Sequence, residues 1–151
     1  MQRVEILNSD FEATFEHACG NTLFYFDPPY RPLSDTSSFN DYAKEAFNDD
    51  AQVRLKEYCD HINEAGFHFM LSNSDCKGKN ENDNFFDVLY GAYQIERVWA
   101  SRSINSNPKK RGKLTEILVH NYLDTKNNYQ PNLLQFVANE NAQIVTMAVN
   151  Q

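Results

Sequence analysis

The sequence predicts an α/β fold in which parallel strands end in an antiparallel hairpin. Two short apolar runs, LFYF (23–26) and FHFML (67–71), flank a long stretch of helical periodicity, the βαβ pattern of a parallel sheet. Two alternating stretches then follow, joined by a polar loop, which is the pattern of a hairpin. Polar groups close three predicted strands, Asp10 the VEIL strand, Asp27 the first apolar run and Ser72-Asn73 the second, so three polar groups are expected on one rim. In sheets of this type ligand sites gather beyond the carboxyl ends of the strands.

Taken in order, VEILNSDF reads as a short strand ending in Asp10-Phe11, and residues 11–19 as a helix that Gly20 stops. LFYF is apolar on both faces and reads as a buried strand. The segment RPLSDTSSFNDYAKE (31–45) is rich in Ser, Asp and Pro and reads as a long loop, a kind that is often functional. Asn48 is an N-cap candidate, and Asp49 and Asp50 follow it where the helix dipole favours acids. Ala51, Leu55, Tyr58, Cys59, Ile62 and Ala65 recur at helical spacing up to Gly66, so a helix is expected over 49–65. FHFML follows as a strand, KGKNEND as a polar loop, and residues 84–90 as a short helix before Gly91. YQIERVWASRSI (93–104) and LTEILVHNY (114–122) are the hairpin strands, with NSNPKKRGK (105–113) between them. Residues 125–151 are rich in Asn and Gln and carry the apolar patches LLQFVA and IVTMAV; an extra strand and a loose tail are both compatible with them.

At 151 residues, with 41% hydrophobic and 23% charged residues, the chain is large enough for one well-packed domain. No apolar run approaches the length of a membrane span, and nothing at the N-terminus resembles a signal peptide, so a cytoplasmic location is expected. Three cysteines without a CxxC pair and four scattered histidines point to reduced thiols and no metal site. The net charge of −7 is unevenly spread. Six of the fourteen basic residues lie between Arg97 and Lys113 with no acid among them, a cationic segment able to meet phosphate locally.

The chemistry concentrates in Asp27-Pro28-Pro29-Tyr30. Proline has no N–H, so both rings leave only carbonyl acceptors, and Asp27 adds a carboxylate. Tyr30 offers a flat face. Acceptors beside a stacking surface suit an extruded adenine held by its exocyclic amine. Asp-Pro-Pro is also ordinary turn chemistry, and its place after a buried strand is what favours a site.

The stretch DPPYRPLSDTSSFNDYAKEAF resembles the motif of Dam-like adenine-N6 DNA methyltransferases, DPPY-x-PLS-x-T-x-x-F-x-x-Y. SRSINSNPKKRGKLTEILVHNY resembles that group's last hairpin, and LSNSD its SNHD-like segment, over roughly residues 4–122 in all. The resemblance implies an incomplete Rossmann-like sheet of the S-adenosylmethionine-dependent kind over residues 1–124, with 125–151 as a tail. It implies methyl transfer from S-adenosylmethionine to adenine N6 in duplex DNA without a metal or covalent intermediate. Asp27 and the Pro28 carbonyl would accept from the amine, with Pro29 and Tyr30 completing the catalytic set and Tyr30 stacking on the base. Asp10, Phe11 and Asp27 would face the cofactor. Ser103, Asn105, Asn107, Lys109, Lys110, Arg111 and Lys113 would face DNA, and Phe39 and Tyr42 are candidates for closing over the base. GATC is the target sequence the likeness suggests.

One family feature is missing. The five glycines lie more than ten residues apart, so no GxG cofactor loop can form, and the sequence is expected to be the C-terminal portion of such an enzyme. The strand that would flank LFYF is then missing as well. That edge is expected to be bare, covered by residues 125–151, or paired with a second copy or a separate chain supplying the missing half. A non-catalytic module that binds nucleic acid or regulates is the alternative function, and other amine substrates are less favoured by this motif and hairpin.

Overall fold

The structure, a computed structural model, describes residues 6–33, 47–100 and 114–123, and the backbone of 142–148. Five strands form one mixed sheet: β1 (Asn21–Asp27), β2 (His68–Ser74), β3 (Gln94–Ala100), β4 (Leu114–His120) and β5 (Ala142–Ala148), in the order β3-β4-β2-β1-β5. β1 pairs in parallel with β2 and with β5, and β4 runs antiparallel to both β2 and β3. The α/β class and the terminal hairpin are therefore as expected.

The long helix α1 (Asp49–Glu64) links β1 to β2. Asn48 caps it, its side chain accepting from Ala51 N, and Asp49 and Asp50 stand in the first turn. Gly66 follows with φ +83°, the left-handed conformation that ends a helix at little cost only for glycine. Leu55, Tyr58, Cys59 and Ile62 are buried on the sheet side. They pack in one cluster with Phe24, Phe26, Phe69, Leu71, Ile117 and Val119. Full burial of each such aliphatic or phenyl side chain contributes about 1.5–3 kcal/mol.

Three expectations are corrected. Ile6, Leu7 and Asn8 form no strand; the first two are exposed, and residues 1–5 lie outside the described part. Asp10 therefore begins a 3₁₀ helix (Phe11–His17) instead of closing a strand. That helix is tighter and ends two residues before the expected 11–19, Ala18 N bonding the Phe15 carbonyl at its end and Thr14 Oγ1 donating to the Phe11 carbonyl at 2.6 Å. The loop read as KGKNEND begins with a helical turn, α2 (Cys76–Lys79), capped when Asp75 accepts from Gly78 N. The helix α3 (Phe85–Leu89) follows it.

β2 runs on through Ser72-Asn73-Ser74, because β4 pairs with all three. The open question about the β1 edge has a definite answer in β5. A strand from within 125–151 lies along the whole of β1, from Asn21 opposite Ala142 to Asp27 opposite Ala148.

Candidate functional site

The parallel pairing of β1 and β2 puts Asp27 and Ser72–Ser74 at the same rim of the sheet. β4 brings Glu116 opposite Ser74, and Ala100 pairs with Leu114 at that end of the hairpin. The segment 101–113 thus leaves and rejoins the described structure on this rim. Its candidate residues Ser103, Asn105, Asn107, Lys109, Lys110, Arg111 and Lys113 lie outside the described part, as do Phe39 and Tyr42. Arg97, counted in the cationic segment, is engaged internally: it donates to Asp75 at 3.1 Å and to Asp87 at 2.8 Å.

Asp27 is exposed, Pro28 buried, and Pro29 and Tyr30 half-buried, with no regular structure or turn at 28–30. The tetrapeptide is thus accessible and not closed into the interior. Ser72 Oγ donates to Asp27 Oδ1 at 2.9 Å, and Tyr25 Oη donates to Ser72 Oγ at 3.4 Å. The other Asp27 oxygen has no partner among the described residues. The serine therefore fixes the orientation of the carboxylate through Oδ1. Tyr30 Oη donates toward Glu116 Oε2 at 3.4 Å. Burial pushes the Tyr30 phenol up to about 12; a hydrogen bond with Ser72 opposes this, and the charges of Glu116 and Asp27 add to it.

The acceptor set is narrower than composition implies. Gln52 Nε2 donates to the Pro29 carbonyl at 3.3 Å, so that carbonyl is taken by the protein itself.

Arg31, the next residue, anchors the loop. It donates to Asp49 and Asp83, both at 2.8 Å, and its guanidinium carbon lies 4.5 Å from the Phe85 ring centroid. These bonds, Asp49 first, hold its pKa well above the ordinary value. Ser74 Oγ donates to the Arg31 carbonyl at 2.6 Å, and Asn73 Oδ1 accepts from Arg31 N at 3.0 Å. Ser72, Asn73 and Ser74 lie in the LSNSD strand end and Glu116 in the hairpin stretch that the sequence singles out, whereas Gln52 is a member of this rim that lies outside every motif. Gln52 had a sequence signal, because it continues the helical stripe of Leu55, Cys59 and Ile62 as a polar residue on a buried face.

Asp10 and Phe11 are engaged elsewhere. Arg54 pairs with the Asp10 carboxylate and lies over the Phe11 ring at 4.4 Å, while Phe11 packs on Tyr58. Burial pushes the Asp10 carboxyl up, and bonds from Arg54 and Glu12 N outweigh it, so its pKa lies below the usual value. The acceptor-rich rim around Asp27 suits a cationic methyl donor. Among the described residues no cluster of three His, Cys, Asp or Glu is arranged to hold a metal, and no helix is long and apolar enough to cross a membrane.

Comparison with known proteins identifies the family. The chain is 41% identical over 123 residues to the Type II methyltransferase M.MjaIII of Methanocaldococcus jannaschii, covering 81% of the chain and 40% of that relative. It is 38% identical over 119 residues to the Type II methyltransferase M1.LlaDCHI of Lactococcus lactis subsp. cremoris, covering 79% and 39%. It is 34% identical over 119 residues to the DNA adenine methylase of Haemophilus influenzae, covering 78% and 39%. The chain thus spans about 40% of the length of these relatives. A family model described as D12 class N6 adenine-specific DNA methyltransferase matches residues 1–104, which include the whole Asp27–Tyr30 rim, and the chain belongs to that family.

Proposed function

We propose that this chain carries the target-base cup of an adenine-N6 DNA methyltransferase that uses S-adenosylmethionine on duplex DNA. The observation that supports it most is the Asp27 carboxylate, exposed at the end of β1 with one oxygen fixed by Ser72. Asp27 and the Pro28 carbonyl accept hydrogen bonds from the two N–H groups of the adenine amine. That draws the nitrogen lone pair out of conjugation with the ring and toward the methyl group. Tyr30 stacks on the extruded base. S-adenosylmethionine, when bound, supplies an electrophilic methyl on a sulfonium. Asp27 holds negative charge where the amine becomes positive, so positioning and electrostatics supply the rate without a protein nucleophile. Residues 103–113 contact DNA phosphate, and GATC is the target we propose, on the likeness of the loop and hairpin to Dam-like enzymes. The sheet is an incomplete Rossmann-like one. The glycine-rich cofactor loop that this sequence lacks is supplied by a separate chain.

The test is incubation of the chain, together with a separately expressed polypeptide of the part of the Haemophilus influenzae DNA adenine methylase that this chain does not match, with unmethylated duplex DNA and S-adenosylmethionine, followed by digestion to nucleosides and quantification of N6-methyladenine. N6-methyladenine that Asp27→Asn lowers by about a hundredfold or more supports the proposal. The missing glycine loop favours a second reading, a nucleic-acid-binding module without catalysis. Salt-sensitive DNA binding with no N6-methyladenine would select it.

A further inference from the structure

Tyr30 is gripped through the peptide groups on both of its sides. The preceding group offers the Pro29 carbonyl, which accepts from Gln52 Nε2 at 3.3 Å. The following group offers Arg31 N–H, which donates to Asn73 Oδ1 at 3.0 Å. The two side-chain amides meet each other, Asn73 Nδ2 donating to Gln52 Oε1 at 3.3 Å. One continuous run of hydrogen bonds therefore leads from Arg31 through Asn73 and Gln52 to Pro29, and the backbone of Tyr30 closes the ring.

The direction of this run is fixed by its ends. A carbonyl can only accept, so Gln52 must turn its NH₂ toward Pro29. A peptide N–H can only donate, so Asn73 must turn its oxygen toward Arg31. The remaining amide atoms then face one another as donor and acceptor, and neither amide can flip without breaking two bonds. Asn73 Oδ1 also accepts from Ser74 N at 2.9 Å, which ties the asparagine to its own strand.

Both amides are 0% exposed. Gln52 shares its helix face with Leu55, Cys59 and Ile62, where an apolar residue would pack without the cost of burying an amide. Its polarity is spent on the loop. At the far end of the same side chain, the Tyr30 phenol reaches toward Glu116.

We propose that Gln52 and Asn73 are positioning residues for Tyr30. They hold its ring as a preformed stacking surface beside Asp27 and touch neither the base nor the methyl donor. This rests on the adenine-cup reading above. It adds that the cup is built before the base arrives, so that binding need not order the loop.

The experiment compares the 151-residue chain with Gln52→Met and Gln52→Glu. The first keeps side-chain length and removes both amide bonds. The second keeps the acceptor facing Asn73 and removes only the donor to Pro29. Amide hydrogen exchange is followed at Arg31, with Leu55 and Leu71 as core references. The Tyr30 ring resonances are followed during titration with adenosine and with N6,N6-dimethyladenosine, which has no amine proton to give. In Gln52→Met the Arg31 amide should exchange about tenfold faster, while the Leu55 and Leu71 amides keep their rates. The Tyr30 response to adenosine should be lost in Gln52→Met and weakened in Gln52→Glu, and the dimethyl compound should elicit little response in any form. If Gln52→Met loses protection at Leu55 and Leu71 as well, Gln52→Glu alone decides. Unchanged Arg31 exchange in the deciding variant overturns the inference, and so does faster exchange with the adenosine response intact. A wild-type Tyr30 blind to adenosine overturns the adenine-cup reading itself. It is recognised before any substitution is made, and the positioning role falls with it.

Discussion

Replacing Arg31 with methionine removes the charge that anchors the loop after Tyr30 and keeps most of the apolar stem. The Arg31 side chain is 21% exposed; its partner Asp49 is 55% exposed and Asp83 31%. The outer pair with Asp49 is open to solvent and contributes about 0.5 kcal/mol. The more sheltered bond to Asp83 is worth about 1 kcal/mol, and the stacking of the guanidinium on Phe85 about 0.5 kcal/mol more. Arg31→Met should therefore cost about 2 kcal/mol. With a urea slope of about 2 kcal/mol per molar, the unfolding midpoint falls by about 1 M. Part of the loss depends on salt: near 1 M salt the screening length shrinks to about 3 Å, the Asp49 share vanishes, and the gap between variant and wild type narrows by about a quarter. Equilibrium urea unfolding followed by tryptophan fluorescence reads both effects, since the chain has a single tryptophan. A midpoint shift below about 0.2 M at low salt refutes the reasoning, because it would mean that the loop does not depend on this cation.

Three other outcomes are expected. Ser72→Ala leaves Asp27 without its fixed donor; about 1 kcal/mol of stability should be lost, lowering Tm by about 2–4 °C, and scanning calorimetry showing no change would sink the assignment. Leu55→Ala empties a fully buried position between α1 and the sheet, and a loss of about 2–5 kcal/mol in chemical unfolding is expected, whereas under 1 kcal/mol would mean the helix packs elsewhere. The Tyr30 phenol should ionise near pH 12 and not near the ordinary 10, read as the phenolate absorbance missing from Tyr30→Phe. Because the folded form holds this proton more tightly, its contribution to stability is complete below pH 10 and is lost as pH rises from 10 through about 12. Ionisation of Tyr30 at pH 10 would contradict that.

The parts of the fold that local chemistry dictates were legible in the residues. Asn48, the two aspartates after it and Gly66 mark both ends of α1, because caps and a left-handed glycine act over a few residues and need no distant partner. The β1 core run and the hairpin were legible for the same reason, from their period. What escaped depends on contacts far along the chain. Ser72-Asn73-Ser74 reads as the end of a strand by composition, yet β4 supplies ladder partners that a single sequence window does not contain. The turn Cys76–Lys79, with a glycine inside it, has poor helical propensity and is held by Asp75, which Arg97 and Thr115 also engage. At the site, the motifs named Asp27, Tyr30 and the Ser72-Asn73 strand end but not Gln52, since a buried glutamine on an apolar stripe announces only that it must bond to something. The engagement of Asp10 by Arg54 was illegible because the two lie 44 residues apart.

The pairing of β5 with β1 has a consequence for how the chain reaches this shape. Every partner in that ladder is separated by the same 121 residues, from Asn21 and Ala142 to Asp27 and Ala148. So remote a pairing raises the contact order and slows folding, because the intervening chain must be closed before the ladder returns anything. On a ribosome adding about 5–20 residues per second, the first strand would wait on the order of ten seconds for its neighbour. During that wait its flank is open to any other nascent strand, so expression at low temperature or with a holding chaperone should raise the soluble yield.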